Sequence, residues 1–200
     1  VGWMNEAFAG TKYIAHRGLS QYYPENTIKA YVEASNAGFH GWECDPYITS
    51  DGYWINMHDE TVDRTTDGTG NVTSFTLAQI KALNIDGGNN AAIFKGLKVP
   101  TIEEVFEMAA KMKDKPYVFI NNRTDTPVDA QRTIDLAEII KKYNYEKKAI
   151  LLINDFDSYD GLRKELPNIG LCWDQWINIP TTERLDQLAA YAPNVMMSFD

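Results

Sequence analysis

Short apolar runs alternate along this chain with stretches whose apolar residues recur at helical spacing. Tyr13–His16, Gly41–Asp45, Tyr53–His58, Tyr117–Asn121, Ala149–Asn154, Ile169–Trp173 and Asn194–Phe199 read as strands. Between them, Thr27–Ala37 places Ile28, Tyr31, Val32 and Ala34 at helical intervals, with Gly38 as its stop. Thr76 with Gln79, and Thr101 with Glu104, have the spacing of a capping box ahead of an apolar-periodic helix. Asp129–Tyr143, Ser158–Leu166 and Thr182–Tyr191 complete the helical set. Strands alternating with helices predict a parallel sheet, and this many units favours an α/β fold of the TIM-like (β/α) barrel type. Only seven strands are legible, so the eighth strand of such a barrel is expected to be missing from this chain, whether the count is off by one, the chain is truncated or another segment fills the gap. A barrel short of a strand has two unpaired edges.

One gap in the alternation carries information. The residues between Asp45 and Tyr53 are too few for a crossover helix and include the turn signal Ser50-Asp51-Gly52. A segment leaving Asp45 is expected to run back, turn at Asp51-Gly52 and rise again through Trp54-Ile55-Asn56-Met57. That excursion brings His58 to the barrel end that carries Glu43 and Asp45, where His16 closes the first strand. Barrel active sites are built at the carboxyl ends of the strands, so these four residues are expected to converge.

The residue types at that end suit phosphoryl chemistry. Glu43 and Asp45 are two apart on a strand, project from one face, and form an oxygen-rich pair for Mg²⁺ or Ca²⁺ rather than zinc. Two charges inside a parallel sheet are costly without a cation, which favours a metal role over a structural ion pair. His16 and His58 can divide proton transfer near neutral pH, and Arg17 offers a cation to a phosphate. His40, by contrast, reads as an ordinary structural histidine. Cys44 and Cys172 fit no metal spacing and no disulfide framework, and both read as buried small hydrophobes.

Composition narrows the remaining choices. Two hundred residues with 44% apolar content suffice for one domain, residues 1–200. A net charge of −9 without any basic run argues against nucleic acid as a partner. No apolar run approaches a membrane span, so no stable membrane insertion is expected. The chain begins at Val1 with no charged-then-apolar leader, consistent with a trimmed or a mature exported protein. A secreted or cell-envelope location is slightly favoured over the cytoplasm. The oligomeric state has no sequence signal.

The phrases His16-Arg17-Gly18, Pro24-Glu25-Asn26-Thr27, Glu43-x-Asp45, Asp51-Gly52, His58-Asp59, Arg64-Thr65-Thr66-x-Gly68-x-Gly70 and Val99-Pro100-Thr101-x-Glu103-Glu104 together resemble the glycerophosphodiester phosphodiesterase family. The resemblance covers roughly the first 125 residues. It implies a TIM-like barrel that hydrolyses glycerophosphodiesters with a divalent cation, and a small insertion at about 60–98 over the barrel mouth. It makes His16 and His58 the acid/base pair, Arg17 a phosphate contact, and Glu43 and Asp45 metal ligands. It further implies that a neighbouring glycerol hydroxyl attacks first, giving a cyclic phosphate. Glu25 is a further candidate for substrate binding, and Trp173 or Trp176, at a late strand end, for lining the leaving-group pocket.

The chain departs from the family pattern on the fourth strand. An Ile-Glu-Ile-Lys-like phrase, with Glu as third metal ligand and Lys facing the phosphate, is replaced by Ile120-Asn121-Asn122-Arg123. Asn121 still offers a neutral carbonyl oxygen to the metal, and Arg123 keeps a cation with a planar fork for phosphate. The expected substrate is a small-molecule glycerophosphodiester or a glycerol-phosphate polymer of the teichoic-acid type. A non-catalytic polyol-phosphate binding module on the same barrel is the competing reading. A phospholipase D-like lipid cleaver is disfavoured by the Pro24-Glu25-Asn26-Thr27 phrase.

Overall fold

Among the described residues, seven α-helices and eight strands form a six-stranded parallel sheet with helices packed on one face, and a separate two-stranded hairpin. The computed structural model describes residues 2–121, 130–153, 157–175 and 181–199. In chain order the elements are α1 (Trp3–Ala7), β1 (Ile14–Ala15), α2 (Ile28–Asn36), β2 (Gly41–Cys44), β3 (Pro46–Ile48) and β4 (Trp54–Asn56). They continue with α3 (Leu77–Ala82), α4 (Ile102–Lys111), β5 (Tyr117–Asn121), α5 (Ala130–Lys142) and β6 (Ala149–Ile153). The last four are α6 (Asp157–Glu165), β7 (Gly170–Gln175), α7 (Thr182–Ala190) and β8 (Val195–Phe199). β1, β2, β5, β6, β7 and β8 lie side by side in that order, every pair parallel, as in a TIM-like (β/α) barrel.

Both anticipated capping boxes form, at Thr76 with Gln79 and at Thr101 with Glu104, and Thr27 caps α2 by accepting from the Ala30 N–H. The alternation of each strand divides its side chains between two layers. Ala15, Trp42, Cys44, Val118, Ile120, Leu151, Leu171 and Trp173 face the helices and form the main core with Phe106, Ile140, Leu162 and Leu188. Ile14, Phe119, Ile150, Leu152, Cys172 and Met196 face inward. Trp3 and Met4 of α1, with Phe8 just beyond it, pack against this inner layer, so a short N-terminal helix fills the base of the barrel. Gly170 makes room for them: a Cβ there would meet the Met4 sulfur at 2.7 Å and the Trp3 ring at 3.2 Å. Five residues of α1 carry too little periodicity to be read from sequence, and this helix was not anticipated.

Two expectations are corrected by the strand pairing. Tyr53–His58 was expected to be a strand of the barrel. Instead β4 pairs antiparallel with β3 (Pro46↔Asn56, Ile48↔Trp54), and β2 pairs directly with β5. A connection this short can only fold on itself, and a strand whose partner is its own hairpin arm does not enter the parallel ladder. The described residues therefore give six parallel strands rather than seven, with β1 and β8 at the two ends of the sheet. The hairpin still returns the chain to its starting point, because the Met57 N–H donates to the Asp45 carbonyl at 2.8 Å.

The second correction concerns Trp173. It does not line the mouth; it is 0% exposed and faces the helices, one residue out of phase with inward-facing Cys172. Residues 60–98 pack over the hairpin around a separate small core of Tyr47, Ile55, Met57, Val62, Val72, Ile80 and Ile85.

Trp173 is expected to matter to stability alone. Trp173→Ala should lower the unfolding free energy by about 3–5 kcal/mol in a chemical denaturation series. A selective rise in substrate KM at unchanged stability would return Trp173 to the mouth.

Candidate active site

The residues at the carboxyl ends of β1 and β2 meet the hairpin return and the loop before α2. The turn after β1 is tight: Arg17 has φ +56° and Gly18 φ +78°, left-handed conformations that glycine adopts without cost and other residues rarely do. A Cβ on Gly18 would lie 2.8 Å from the Ala30 backbone, so this turn sits directly on α2. Its fold aims the Arg17 N–H at Glu43 Oε2, 3.1 Å away.

Glu43 and Asp45 are 6% and 1% exposed. Asp45 is surrounded by donors. Asn26 Nδ2 reaches its Oδ2 at 2.8 Å, Asn121 Nδ2 reaches its Oδ1 at 3.3 Å, and Arg17 Nε lies 3.6 Å away. Asn26 is itself fixed by the Tyr31 hydroxyl, which donates to Asn26 Oδ1 at 2.8 Å. Asn56 closes the set by donating to the Asn26 carbonyl and accepting from the Asp45 N–H at 2.9 Å. Glu43 is less well served: its Oε1 is buried with no hydrogen-bond partner. Burial, then repulsion from Asp45, pushes the Glu43 carboxyl up to about 8.

His16 stands above this pair, its Nε2 4.0 Å from Glu43 Oε2 and its side chain 63% exposed. Partial burial and the neighbouring Arg17 lower its pKa, which keeps the ring neutral near pH 7. His58 lies close enough to act on the His16 charge. Its Nδ1 is 2.7 Å from Asp59 Oδ1, which leaves Nε2 as the outward nitrogen.

A chain of ion pairs joins the two sides of the mouth. Arg64 meets Asp59 through Nε (2.6 Å) and Nη2 (2.9 Å), and Glu25 through Nη1 (2.9 Å) and Nη2 (2.8 Å). Glu25 Oε1 also accepts from Arg17 Nη1 at 3.0 Å. The hydrogen bonds from Arg64 hold Asp59 well below the usual carboxylate range. At Glu25, burial works the other way but is outweighed by Arg64 and Arg17, so that carboxyl is also lowered. The planar fork of arginine suits two bidentate pairs at once, which lysine does not.

The structure thus gathers His16, Arg17, Glu25, Glu43, Asp45, His58 and Asn121 at one end of the barrel and leaves Trp173 in the core. Arg123 and Trp176 lie outside the described residues. Sequence reasoning gave Asp59, Arg64, Asn26, Tyr31 and Asn56 no part in the chemistry of the site. Asp59 and Arg64 were legible as parts of recurring phrases, but their pairing was not. His40, read as structural, accepts from the Tyr13 N–H through Nδ1 at 3.1 Å.

Among the described residues no three His, Cys, Asp or Glu side chains converge on a metal position. The pair itself nonetheless fits an oxygen-liganded cation. It offers two carboxylates that repel each other, a buried carboxylate oxygen without a partner, and the Asn121 amide beside them. Amide nitrogen and oxygen exchange places by a simple flip, so Asn121 can present its carbonyl oxygen there.

Comparison with known proteins bears on the same segment. A model of the glycerophosphoryl diester phosphodiesterase family matches residues 16–197. A glycerophosphodiester phosphodiesterase of Bacillus subtilis is 45% identical over 194 residues, covering 90% of this chain and 65% of its own length. One of Caldanaerobacter subterraneus is 38% identical over 163 residues, covering 80% of this chain and 65% of its own. The chain therefore spans about two thirds of the length of these relatives. A solved glycerophosphodiester phosphodiesterase of Agrobacterium tumefaciens superposes with a TM-score of 0.71 at 27% identity, over 82% of this chain and 67% of that one. An Oleispira antarctica phosphodiesterase, solved with the product sn-glycerol-3-phosphate, gives 0.80 at 20% identity, over 94% and 74%.

The raised Glu43 carboxyl makes cation-free stability depend on pH. Between the unfolded carboxylate range and about 8, folded Glu43 holds a proton that the unfolded chain has released. Stability is therefore expected to fall as pH rises through that window, and Glu43→Gln to flatten the slope. Thermal melts in EDTA across the window read this directly.

Proposed function

The chain belongs to the glycerophosphoryl diester phosphodiesterase family, and on that footing we propose that it hydrolyses glycerophosphodiesters to glycerol phosphate and an alcohol. The carrying observation is the convergence of two histidines, one arginine and two buried carboxylates at one barrel end. Product-bound Oleispira antarctica phosphodiesterase shares the fold.

Each residue has a part that follows from its surroundings. Arg17 Nη1 is engaged by Glu25 and its Nε faces Asp45 Oδ2 at 3.6 Å. These contacts hold the guanidinium where negative charge builds on the phosphate in the transition state. His16, kept neutral, takes the proton from the attacking hydroxyl as oxygen bonds to phosphorus. His58, oriented through Nδ1 by Asp59, gives a proton from Nε2 to the leaving alkoxide as its bond to phosphorus breaks. Water then attacks the phosphorus of the resulting cyclic ester, giving its proton to His58 while His16 returns its proton to the departing glycerol oxygen, so both histidines regain their starting state.

Glu43 and Asp45, with Asn121, are the residues to hold Mg²⁺ or Ca²⁺. When bound, such a cation supplies positive charge to the phosphate oxygens. Asn121 in place of an acidic ligand removes one formal charge from that set. Arg64 is a positioning residue: through Asp59 it fixes His58, and through Glu25 it fixes Arg17.

Glycerophosphocholine hydrolysis, followed by release of glycerol phosphate, tests the reading. Turnover is expected with Mg²⁺ or Ca²⁺, to disappear in EDTA, and to fall by roughly 10²–10⁴ in His16→Ala and His58→Ala. A folded wild-type chain inactive on glycerophosphodiesters under every cation would refute it. Asn121→Glu should tighten cation binding by on the order of tenfold in a calorimetric titration. Arg64→Ala should cost roughly 10–100-fold in kcat/KM, with little recovered in Arg64→Lys.

A further inference from the structure

At the end of the barrel opposite the mouth, the charge of the protein changes sign. Lys12 precedes β1, Lys115 precedes β5 and Lys148 precedes β6; together with Lys113 they line a cleft of about 720 Å³. This volume lies in the range of small-molecule pockets. The carboxyl ends of α2 and α4 also line it, as do Asp114 and the ring of Tyr117. For a chain of net charge −9, four lysines around one concavity is a marked local excess.

Of the nine lysines elsewhere, five are paired: Lys29, Lys81, Lys111, Lys141 and Lys142 each have a carboxylate within salt-bridge distance. Lys95, Lys98, Lys147 and Lys164 have no carboxylate within that distance among the described residues. None of the four cleft lysines has one among the described residues. Helix dipoles do not account for them either. Two helix carboxyl ends contribute about half a negative charge each, and Asp114 one more. Set against four ammonium groups, this leaves about two positive charges uncompensated, which matches the charge of a phosphomonoester. Lys148 shows the strain most directly. It is half-buried with its Nζ 4.0 Å over the Tyr117 ring, and burial, then Lys12, lowers its pKa.

We propose that this cleft at the foot of the barrel is a second anion site, which binds the dianionic phosphate of a phosphomonoester through Lys12, Lys115 and Lys148. The concave shape takes a soluble ligand such as inorganic phosphate or glycerol phosphate. A lipid phosphate headgroup has the same chemistry and is the source to be distinguished. Nothing in this site depends on catalysis at the mouth.

The test is a titration of inorganic phosphate, then glycerol phosphate, into the ¹⁵N-labelled full chain at constant ionic strength near neutral pH. Saturable shifts are expected at the amides of Lys12, Lys115, Tyr117 and Lys148, and they should persist in Arg17→Ala. Lys148→Gln and Lys12→Gln should each weaken them by about tenfold, the loss of one charge-assisted contact. Both variants are checked by thermal melts, and Lys12→Gln carries the test should Lys148→Gln unfold. Shifts confined to Arg17 and His16, shifts reproduced by chloride, or affinity unchanged in folded variants would overturn the proposal. So would binding to phosphatidic acid vesicles without any response to soluble phosphate, which would make the foot a membrane contact. Because the readout is binding, an inactive chain that passes this test would refute only the catalytic reading.

Discussion

Two carboxylates buried two residues apart on one strand set the terms for everything around them. Glu43 and Asp45 repel each other in a setting where water is largely excluded, and each neighbouring element supplies something against that repulsion. The β1 turn supplies a backbone N–H, the loop before α2 supplies Asn26, the hairpin supplies Asn56, and β5 supplies Asn121. The left-handed residues Arg17 and Asn26 are where the backbone bends to deliver these donors. Asp45 ends fully served. Glu43 retains a bare oxygen, the one part of that demand its neighbours leave unmet.

A second layer connects rather than neutralises. From Arg17 through Glu25, Arg64 and Asp59 to His58, alternating charges form one unbroken line across the mouth. Partly exposed ion pairs contribute little to stability one at a time. Their value here is geometric, since Glu25, Arg64 and Asp59 are each held by two partners and so tie Arg17 to His58. Arg64 belongs to the segment that packs over the hairpin, so that segment and the barrel are registered by the same contacts that hold His58 and Arg17.

Much of this was legible because it is local. The two-residue spacing of Glu43 and Asp45 dictates a shared face, the capping boxes announce α3 and α4, and the short reach from Asp45 to Tyr53 forces a hairpin. What escaped was either a matter of phase or of distance. Trp173 and Cys172 lie on opposite faces of β7, and strand propensity alone cannot say which faces in. Arg64 and Glu25 are 39 positions apart, with no periodicity linking them. Helix α1 is too short to show a pattern, and its place in the barrel is decided by the space that Gly170 leaves.

That buried helix has a topological consequence. Trp3 and Met4, with Phe8 beside them, pack at the base beneath Phe119, Ile150 and Cys172, so the inner face of the sheet has a floor. Among the described residues this floor blocks the axial approach to Glu43 and Asp45 from the foot. The two ends of the molecule cannot exchange matter through its axis. They can communicate only mechanically, along the strands that begin beside the lysines and finish at the carboxylates.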